Sequence, residues 1–581
     1  MSDLAERLRV LSFFRDLGPD AIADVVARAQ WYSLAGGWDL FQQGTPPDFF
    51  YVVVSGRLIV VRESQGRENV VGYIRAGEPV GEMSLLSGEA HSASVYALRD
   101  TELVALSRAD FDALLKAHAD FASELARQVL ARSRRPRDSF QKSAPRVFAI
   151  VATSPAAPAE SLARELATEI RRLGLTATTL VEAEADDVFY DFEGIEKRHD
   201  IVLMPTRVEE SPWFRFALRH ADRFLVLARR DARPPDPFVL SPEENSPARR
   251  FRLVDLVVLH EGLVSSTARD WAIAVEASRV FHWAGLKDVQ RLARIVAGRS
   301  VGLVLSGGGA RAYAEIGAVK ALRERGVPID LVVGASMGAI VGACVAMDWD
   351  DAEIERRIRD AFVSSNPLGD HVLPVVALTR GGIVEARLQK HFGESLIEDM
   401  HMPFVCVSSD LTRGKLSLHR MGLLRRALRA SISLPGILPP VVDAEALLVD
   451  GAVINNFPTE IMSGLHRGVT IGIDVAEEGT IRVDDFVSPP GFFTWVLRHG
   501  MKGAPPIVSL LMRAATARDE GAKKTHAADI MVTPKVAGVE LRDWKKYDLA
   551  VADGYRAMME ALDARWADIA PSLGPAAHRT E

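Results

Sequence analysis

The sequence predicts an α/β chain in several parts: a β-barrel in front, a small α/β unit behind it, and a larger α/β domain towards the C-terminus. Three observations carry this. Short β-rich runs alternate with glycine turns between Trp31 and Leu106, strand-like and helix-like segments alternate from 146 to about 290, and from Val301 two apolar runs each end in a glycine-rich turn that opens a helix. The 581 residues suit two to four domains. With 48% hydrophobic and 25% charged residues, the chain can build large cores and is not a disordered one. A net charge of -7 gives no basic excess, which excludes a nucleic-acid partner. The two cysteines, Cys344 and Cys406, sit in apolar runs, so neither a disulfide scaffold nor a cysteine zinc site is expected. Met1 to Arg9 reads as an amphipathic helix without the apolar core of a signal peptide, and no run reaches the ~18 apolar residues of a membrane span. A cytoplasmic protein is expected, with peripheral contact at the inner face of a membrane left open.

In chain order, Leu4–Val10 and Pro19–Ala29 have helical spacing, the second opened by Pro19-Asp20. Phe49–Val54 before Ser55-Gly56, and Leu58–Arg62 before Gln65-Gly66, read as barrel strands, and Asp110–Leu130 returns to helix. Arg132–Pro145 is a basic, proline-bounded linker. Val147–Val151, Ile201–Met204, Phe224–Leu227 and Leu256–Leu259 read as strands of a largely parallel sheet, with a helix at Ala159–Leu173. The turn after the first of these strands, Ala152 to Pro158, has neither glycine nor lysine, so it is no phosphate-binding loop. A scaffold is the better reading of this unit. Arg229–Pro247 reads as a long loop. The boundaries predicted are 1–131 for the barrel domain, 132–145 for the linker, 146–295 for the α/β unit and 296–575 for the larger α/β domain with a C-terminal extension.

The chemistry concentrates after Val301. The second glycine turn, Gly334-Ala335-Ser336-Met337-Gly338, is a G-x-S-x-G nucleophile elbow. It follows the strand run Ile329–Val333 and precedes a helix of small residues, which is the strand–turn–helix context the motif needs. The first, Gly307-Gly308-Gly309-Ala310-Arg311, can offer bare backbone N–H groups to a developing oxyanion. A serine hydroxyl needs a base. His466 is the best-placed histidine by chain order but has no supporting signature. Asp450 ends the apolar run Leu447–Val449 before Gly451-Ala452, where a desolvated carboxylate could take the serine proton directly. Asp-Gly is also a common turn, and residue chemistry alone does not choose.

The set Gly307–Arg311, Gly334–Gly338 and Asp450-Gly451-Ala452, with Ala430–Pro440 and Asn455–Pro458 between and after, resembles the signatures of patatin-like phospholipases over nearly the last half of the chain. The resemblance implies a three-layer α/β/α hydrolase domain, a Ser336–Asp450 dyad without histidine, and an oxyanion hole at Gly307–Gly309 with Arg311 alongside. Gly44, Asp48 and Gly56 in a helix–barrel–helix frame resemble a cyclic-nucleotide-binding domain. The phosphate cassette of that family would run from Gly81 through Glu82, the ribose ligand, to His91 and Ser92. Histidine at 91 replaces the family's phosphate-clamping arginine, which favours a module kept for docking or architecture over cAMP or cGMP binding. The whole arrangement is similar to the neuropathy target esterase family. It implies a carboxylic ester hydrolase acting on phospholipids or lysophospholipids, with no cofactor and no metal. The alternative is a cyclic-nucleotide-responsive regulator with the hydrolase as its output. Val487–Met512, apolar and aromatic between basic residues, suits either a packed helical cover or a lid at a membrane. Arg425, Arg426 and Arg429 could hold a phosphate headgroup or simply form a solvated helical face. A helix is expected from Asp543 to Leu562, and the last ten or so residues should fray.

Overall fold

A computed structural model describes all residues except 1, 65–66, 135–144, 241–250, 252, 261–267, 365, 374, 476–527 and 575–581. Most of the linker expected at 132–145, the end of the Arg229–Pro247 loop, the cover or lid expected at 487–512 and the C-terminal end fall outside the described residues. The chain forms two compact units. One runs to Val289 and the other from Gln290, apart from short exchanges at Arg172–Gly174 and Thr267–Arg269.

The first unit contains two sheets. The strands β1 (Gln30–Leu34), β2 (Asp39–Phe41), β3 (Phe49–Ser64), β4 (Arg67–Arg75), β5 (Pro79–Val80) and β6 (Ser94–Ser107) pair antiparallel in the order β1-β6-β3-β4, with β2 on β6 and β5 on β3. Phe13, Phe14, Phe50, Phe111 and Phe121, all buried, pack the flanking helices onto this sheet. The helix expected at Asp110–Leu130 is two, Arg108–Ala117 and Ala119–Arg134. They part at His118, whose backbone is extended and whose ring bonds Asp24 at 3.1 Å.

The second sheet holds β7 (Val147–Ala152), β8 (Ala177–Thr179), β9 (Ile201–Arg207), β10 (Arg223–Arg229), β11 (Val254–Leu259) and β12 (Arg279–Trp283). All are parallel, in the order β12-β11-β10-β7-β9-β8. β7, β10 and β11 are apolar and buried along nearly their whole length because both faces are covered. Asp222 binds this sheet to the barrel. It accepts the N–H groups of Arg146 and Val147 and faces the buried guanidinium groups of Arg57 at 3.4 Å and Arg99 at 3.7 Å.

The second unit is built on β13 (Val301–Leu305), β14 (Leu331–Ala335), β15 (Phe404–Asp410), β16 (Lys415–His419), β17 (Val441–Asp443), β18 (Ala446–Asp450), β19 (Val469–Ile473) and β20 (Ile530–Val532). The order is β17-β18-β15-β14-β13-β19-β20, with β16 also on β15. β20, β19, β13, β14 and β15 run parallel, and β16 and β18 pair antiparallel with β15. This antiparallel return matters. Because β18 runs against β15, Asp450 stands opposite Ser408, near the carboxyl ends of the parallel strands where the two glycine turns emerge. The helix Met337–Ala346, buried at every position, leaves the sheet from the second turn.

Candidate active site

Ser336 follows β14 and caps the next helix with φ 51° and ψ -128°, a backbone state that side-chain-bearing residues avoid. The turn is held open by absence of bulk on either side. A Cβ on Gly334 would stand 2.7 Å from the backbone at Gly338 and Ala339, and one on Gly338 would stand 2.4 Å from the Ser306 carbonyl. The strained serine is fixed by a bond that the motif does not contain: its N–H donates to the Ser431 hydroxyl at 3.0 Å, and that hydroxyl donates to the Val407 carbonyl at 2.7 Å.

The Ser336 hydroxyl donates to Asp450 Oδ2 at 2.6 Å, across 114 residues of sequence. Asp450 is 1% exposed. Its other oxygen accepts the Ala452 N–H at 2.9 Å, and its own N–H donates to the Ser433 carbonyl at 2.9 Å. Burial pushes the carboxyl up from 3.8 to about 7, while the bonds from Ser336 and Ala452 pull the other way. A carboxylate so placed ionises near neutrality and is basic enough to take a proton from a hydroxyl bonded to it.

Among the described residues no histidine touches either group. His466 follows the helix Thr459–Leu465 and packs beside the start of β13, its ring between the hydroxyls of Ser300 at 3.0 Å and Thr470 at 3.1 Å, at the opposite end of that strand from the glycine turn. His419 is bonded to Ser408 at 2.8 Å.

The glycine turn divides its donors. The Gly307 N–H donates to the Asn456 carbonyl at 3.2 Å, while the Asn456 amide donates back to the Gly307 carbonyl at 2.9 Å. Gly307 therefore does not present its N–H to a ligand in this arrangement, against the expectation for all three glycines. The reason is the reciprocal pair of bonds with Asn456, and only glycine fits there: a Cβ at 307 would stand 2.4 Å from the Asn456 side chain and 2.8 Å from Ser336 Cβ. Gly308 and Gly309 have no hydrogen-bond acceptor for their N–H groups among the described residues. Arg311 donates to the Val539 carbonyl at 2.8 Å, and the Ala310 N–H donates to the Leu541 carbonyl at 2.9 Å. These bonds tie the turn to the segment after β20. Ser431, Ser433, Asn456 and Leu541 are the contributors that motif reading did not single out. Only the resemblance of Ala430–Pro440 and Asn455–Pro458 pointed near three of them.

The three arginines offered for a headgroup are already engaged. Arg425 pairs with Glu394 at 3.0 Å, Arg426 with Asp443 at 3.2 Å, and buried Arg429 bonds Ser433 at 2.5 Å and the Pro439 carbonyl at 3.2 Å. Among the described residues no cluster of three metal-ligating side chains occurs, and no helix is long and apolar enough to cross a membrane.

In the front sheet, Gly81 takes φ 89° at the start of the short helix Glu82–Ser87, and Glu82 is buried. The His91 ring stacks face to face on Phe41, with centroids 3.7 Å apart and planes 10° apart. Burial holds its pKa below the usual histidine value. Ser92 is exposed, and its carbonyl accepts from Arg62 at 3.3 Å. The residue at the arginine position is thus a neutral stacking partner at pH 7.

Residues 303–463 match the patatin-like phospholipase family, and residues 33–118 match the cyclic nucleotide-binding domain. An NTE family protein of Mycobacterium tuberculosis is 31% identical, with 97% of each chain covered. The patatin-like phospholipase domain-containing protein 6 of Homo sapiens is 27% identical over 77% of this chain and 38% of its own length. Among solved structures, the N-terminal domain of a transcriptional regulator from Streptomyces coelicolor A3(2) is 33% identical over 22% of this chain and 92% of that one, with a TM-score of 0.20. Fold and site together define a patatin-like phospholipase, a hydrolase of the lipid-esterase class, preceded by a cyclic nucleotide-binding domain. Within that class the match over nearly the full length of both chains is specific. The chain belongs to the NTE family.

Proposed function

We propose that this protein is a serine esterase that hydrolyses the carboxylic ester bonds of phospholipids, with lysophospholipids as its preferred substrates, through a Ser336–Asp450 dyad. The observation that carries the reading is the 2.6 Å bond from the Ser336 hydroxyl to a carboxyl group that burial tunes to about 7. Asp450 Oδ2 takes the Ser336 proton as the serine oxygen attacks the ester carbonyl. The tetrahedral oxyanion is met by the N–H groups of Gly308 and Gly309, each such donor being worth about 3 kcal/mol in serine hydrolases. Collapse expels the glycerol-side alcohol, which leaves with the proton held on Asp450. Water then gives a proton to Asp450 and attacks the acyl-serine, releasing the fatty acid and restoring the dyad.

The lysophospholipid preference rests on kinship with proteins named as lysophospholipases, such as that of Aspergillus niger, 28% identical over 77% of this chain and 35% of its own length. The test is release of fatty acid from lysophosphatidylcholine, with phosphatidylcholine and a short-chain ester in parallel. Wild type should hydrolyse the first fastest and Ser336→Ala none of them. Equal turnover by Ser336→Ala would sink the mechanism, and indifference to the lyso form would remove the specificity alone. The front domain we read as a docking or architectural module, because His91 stacks on Phe41 where a clamping cation would be needed. Micromolar heat-yielding binding of cAMP or cGMP in calorimetry would reverse that.

A further inference from the structure

Between the helix Asp351–Ile358 and the helix Gly382–Phe392 the chain forms a finger with a fixed base and an apolar tip. Its two arms meet at a bridge between His371 and Thr379, and the Val372 N–H donates to the Leu378 carbonyl at 3.0 Å. The base is held to the strip Gly436-Ile437 by three bonds. The Leu378 and Thr379 N–H groups donate to the Gly436 and Ile437 carbonyls, and the Thr379 hydroxyl donates to Ile437 at 2.7 Å. Asp370 closes the base from the other side by accepting the Gly382 N–H at 2.7 Å. Ala377 and Thr379 are buried there, yet Leu373 is 90% exposed, Val375 93% and Val376 66%.

Three aliphatic side chains left in water on a braced base are costly, since each forgoes the stabilisation that burial would give it. The strip that carries the finger is the one that fixes the dyad: a few residues upstream, Ser431 accepts the Ser336 N–H and Ser433 accepts the Asp450 N–H. Exposed Arg380 stands at the foot of the finger and offers a cation to a phosphate. Three side chains are too few to supply the roughly 800 Å² that each partner buries in a stable protein interface. Aliphatic insertion with a flanking cation is instead what a lipid surface takes.

We propose that the finger tip Leu373, Val375 and Val376 inserts into the surface of a phospholipid bilayer and seats the dyad at the lipid boundary. The inference rests on the ester-hydrolase reading of the site, and its test does not depend on turnover. The full chain carrying Ser336→Ala is sedimented with phosphatidylcholine vesicles, with and without phosphatidylglycerol. It should sediment with both, and more with the anionic lipid. Adding Leu373→Glu or Val375→Glu should lower partitioning ~10-fold or more, on the scale of one lost aliphatic insertion, with the thermal midpoint unchanged. Val375→Cys carrying a polarity-sensitive dye should shift to the blue on adding vesicles, since Cys344 and Cys406 are buried and escape labelling. Sedimentation unaffected by the tip substitutions would overturn the proposal. So would a dye that stays in water while the protein binds, or a tip change that alters oligomeric state and not vesicle binding.

Discussion

Replacing Asp450 by asparagine should destroy activity and stabilise the fold, and the gain should appear only as the pH rises. In the native structure burial moves the carboxyl from 3.8 to about 7. The folded protein therefore holds this proton more tightly than the unfolded chain does. At pH 3 both states are protonated and ionisation costs nothing. Between pH 4 and 7 the unfolded chain loses its proton first, and wild type is progressively destabilised. Above pH 7 the full difference of about three units stands, worth ~4 kcal/mol at 1.36 kcal/mol per unit. Asparagine carries no charge, so it avoids this loss. It keeps the Ala452 N–H bond through its oxygen and turns its amide to the Ser336 oxygen, at a cost of roughly 1 kcal/mol in bond quality. The net expectation is ~3 kcal/mol of added stability at pH 8, vanishing at about pH 4 to 5 and turning into a deficit of ~1 kcal/mol at pH 3. Turnover should meanwhile fall on the order of 100- to 10,000-fold with loss of the general base. Urea unfolding of both proteins at pH 4, 6 and 8, beside ester hydrolysis at pH 8, measures each part. A variant no more stable than wild type at pH 8, or a gap that does not change with pH, would show that Asp450 is not a buried base held at a raised pKa.

The same ionisation should shape activity. kcat/KM should rise with pH and reach half its plateau at about 7, a profile easily mistaken for an imidazole; His466→Gln should leave that midpoint in place. Ser431→Ala should strand the Ser336 N–H, costing about 1–3 kcal/mol in unfolding free energy and lowering kcat more than it raises KM. Asp222→Ala should leave the buried guanidinium groups of Arg57 and Arg99 without their shared carboxylate. A loss of ~3–5 kcal/mol is expected from removing one side of a buried charge cluster, read by urea unfolding, with ester turnover at low temperature as the check that the rest of the chain is intact.

The elbow was legible because its requirement is local. A strand run, two small flanking positions and a buried helix occupy consecutive residues, and the close approaches at Gly334 and Gly338 are what such a turn demands. Asp450 could be singled out as a strand-end carboxylate, but its contact with Ser336 could not be read from the residues. It depends on β18 returning antiparallel along β15, a pairing between segments some forty residues apart. The partners at Ser431, Ser433 and Asn456 act through one hydroxyl, two backbone carbonyls and one side-chain amide, which leave no periodic trace in composition. The engagement of the Gly307 N–H is of the same kind, since a glycine's sequence letter does not say where its N–H points. The finger shows the opposite failure: Val372, Leu373, Val375 and Val376 have the composition of a buried run, and only the bonds that fix both arms at their base explain why the tip stays outside.

The central claim is that Ser336 is the nucleophile. Its most direct test is to inactivate the full chain with a fluorophosphonate carrying a lipid-like alkyl tail, digest it, and locate the adduct by mass spectrometry. A stoichiometric adduct on the peptide containing Gly334–Gly338, absent from Ser336→Ala and slowed in Asp450→Asn, is the expected result. Complete inactivation with the adduct on any other residue would contradict the account.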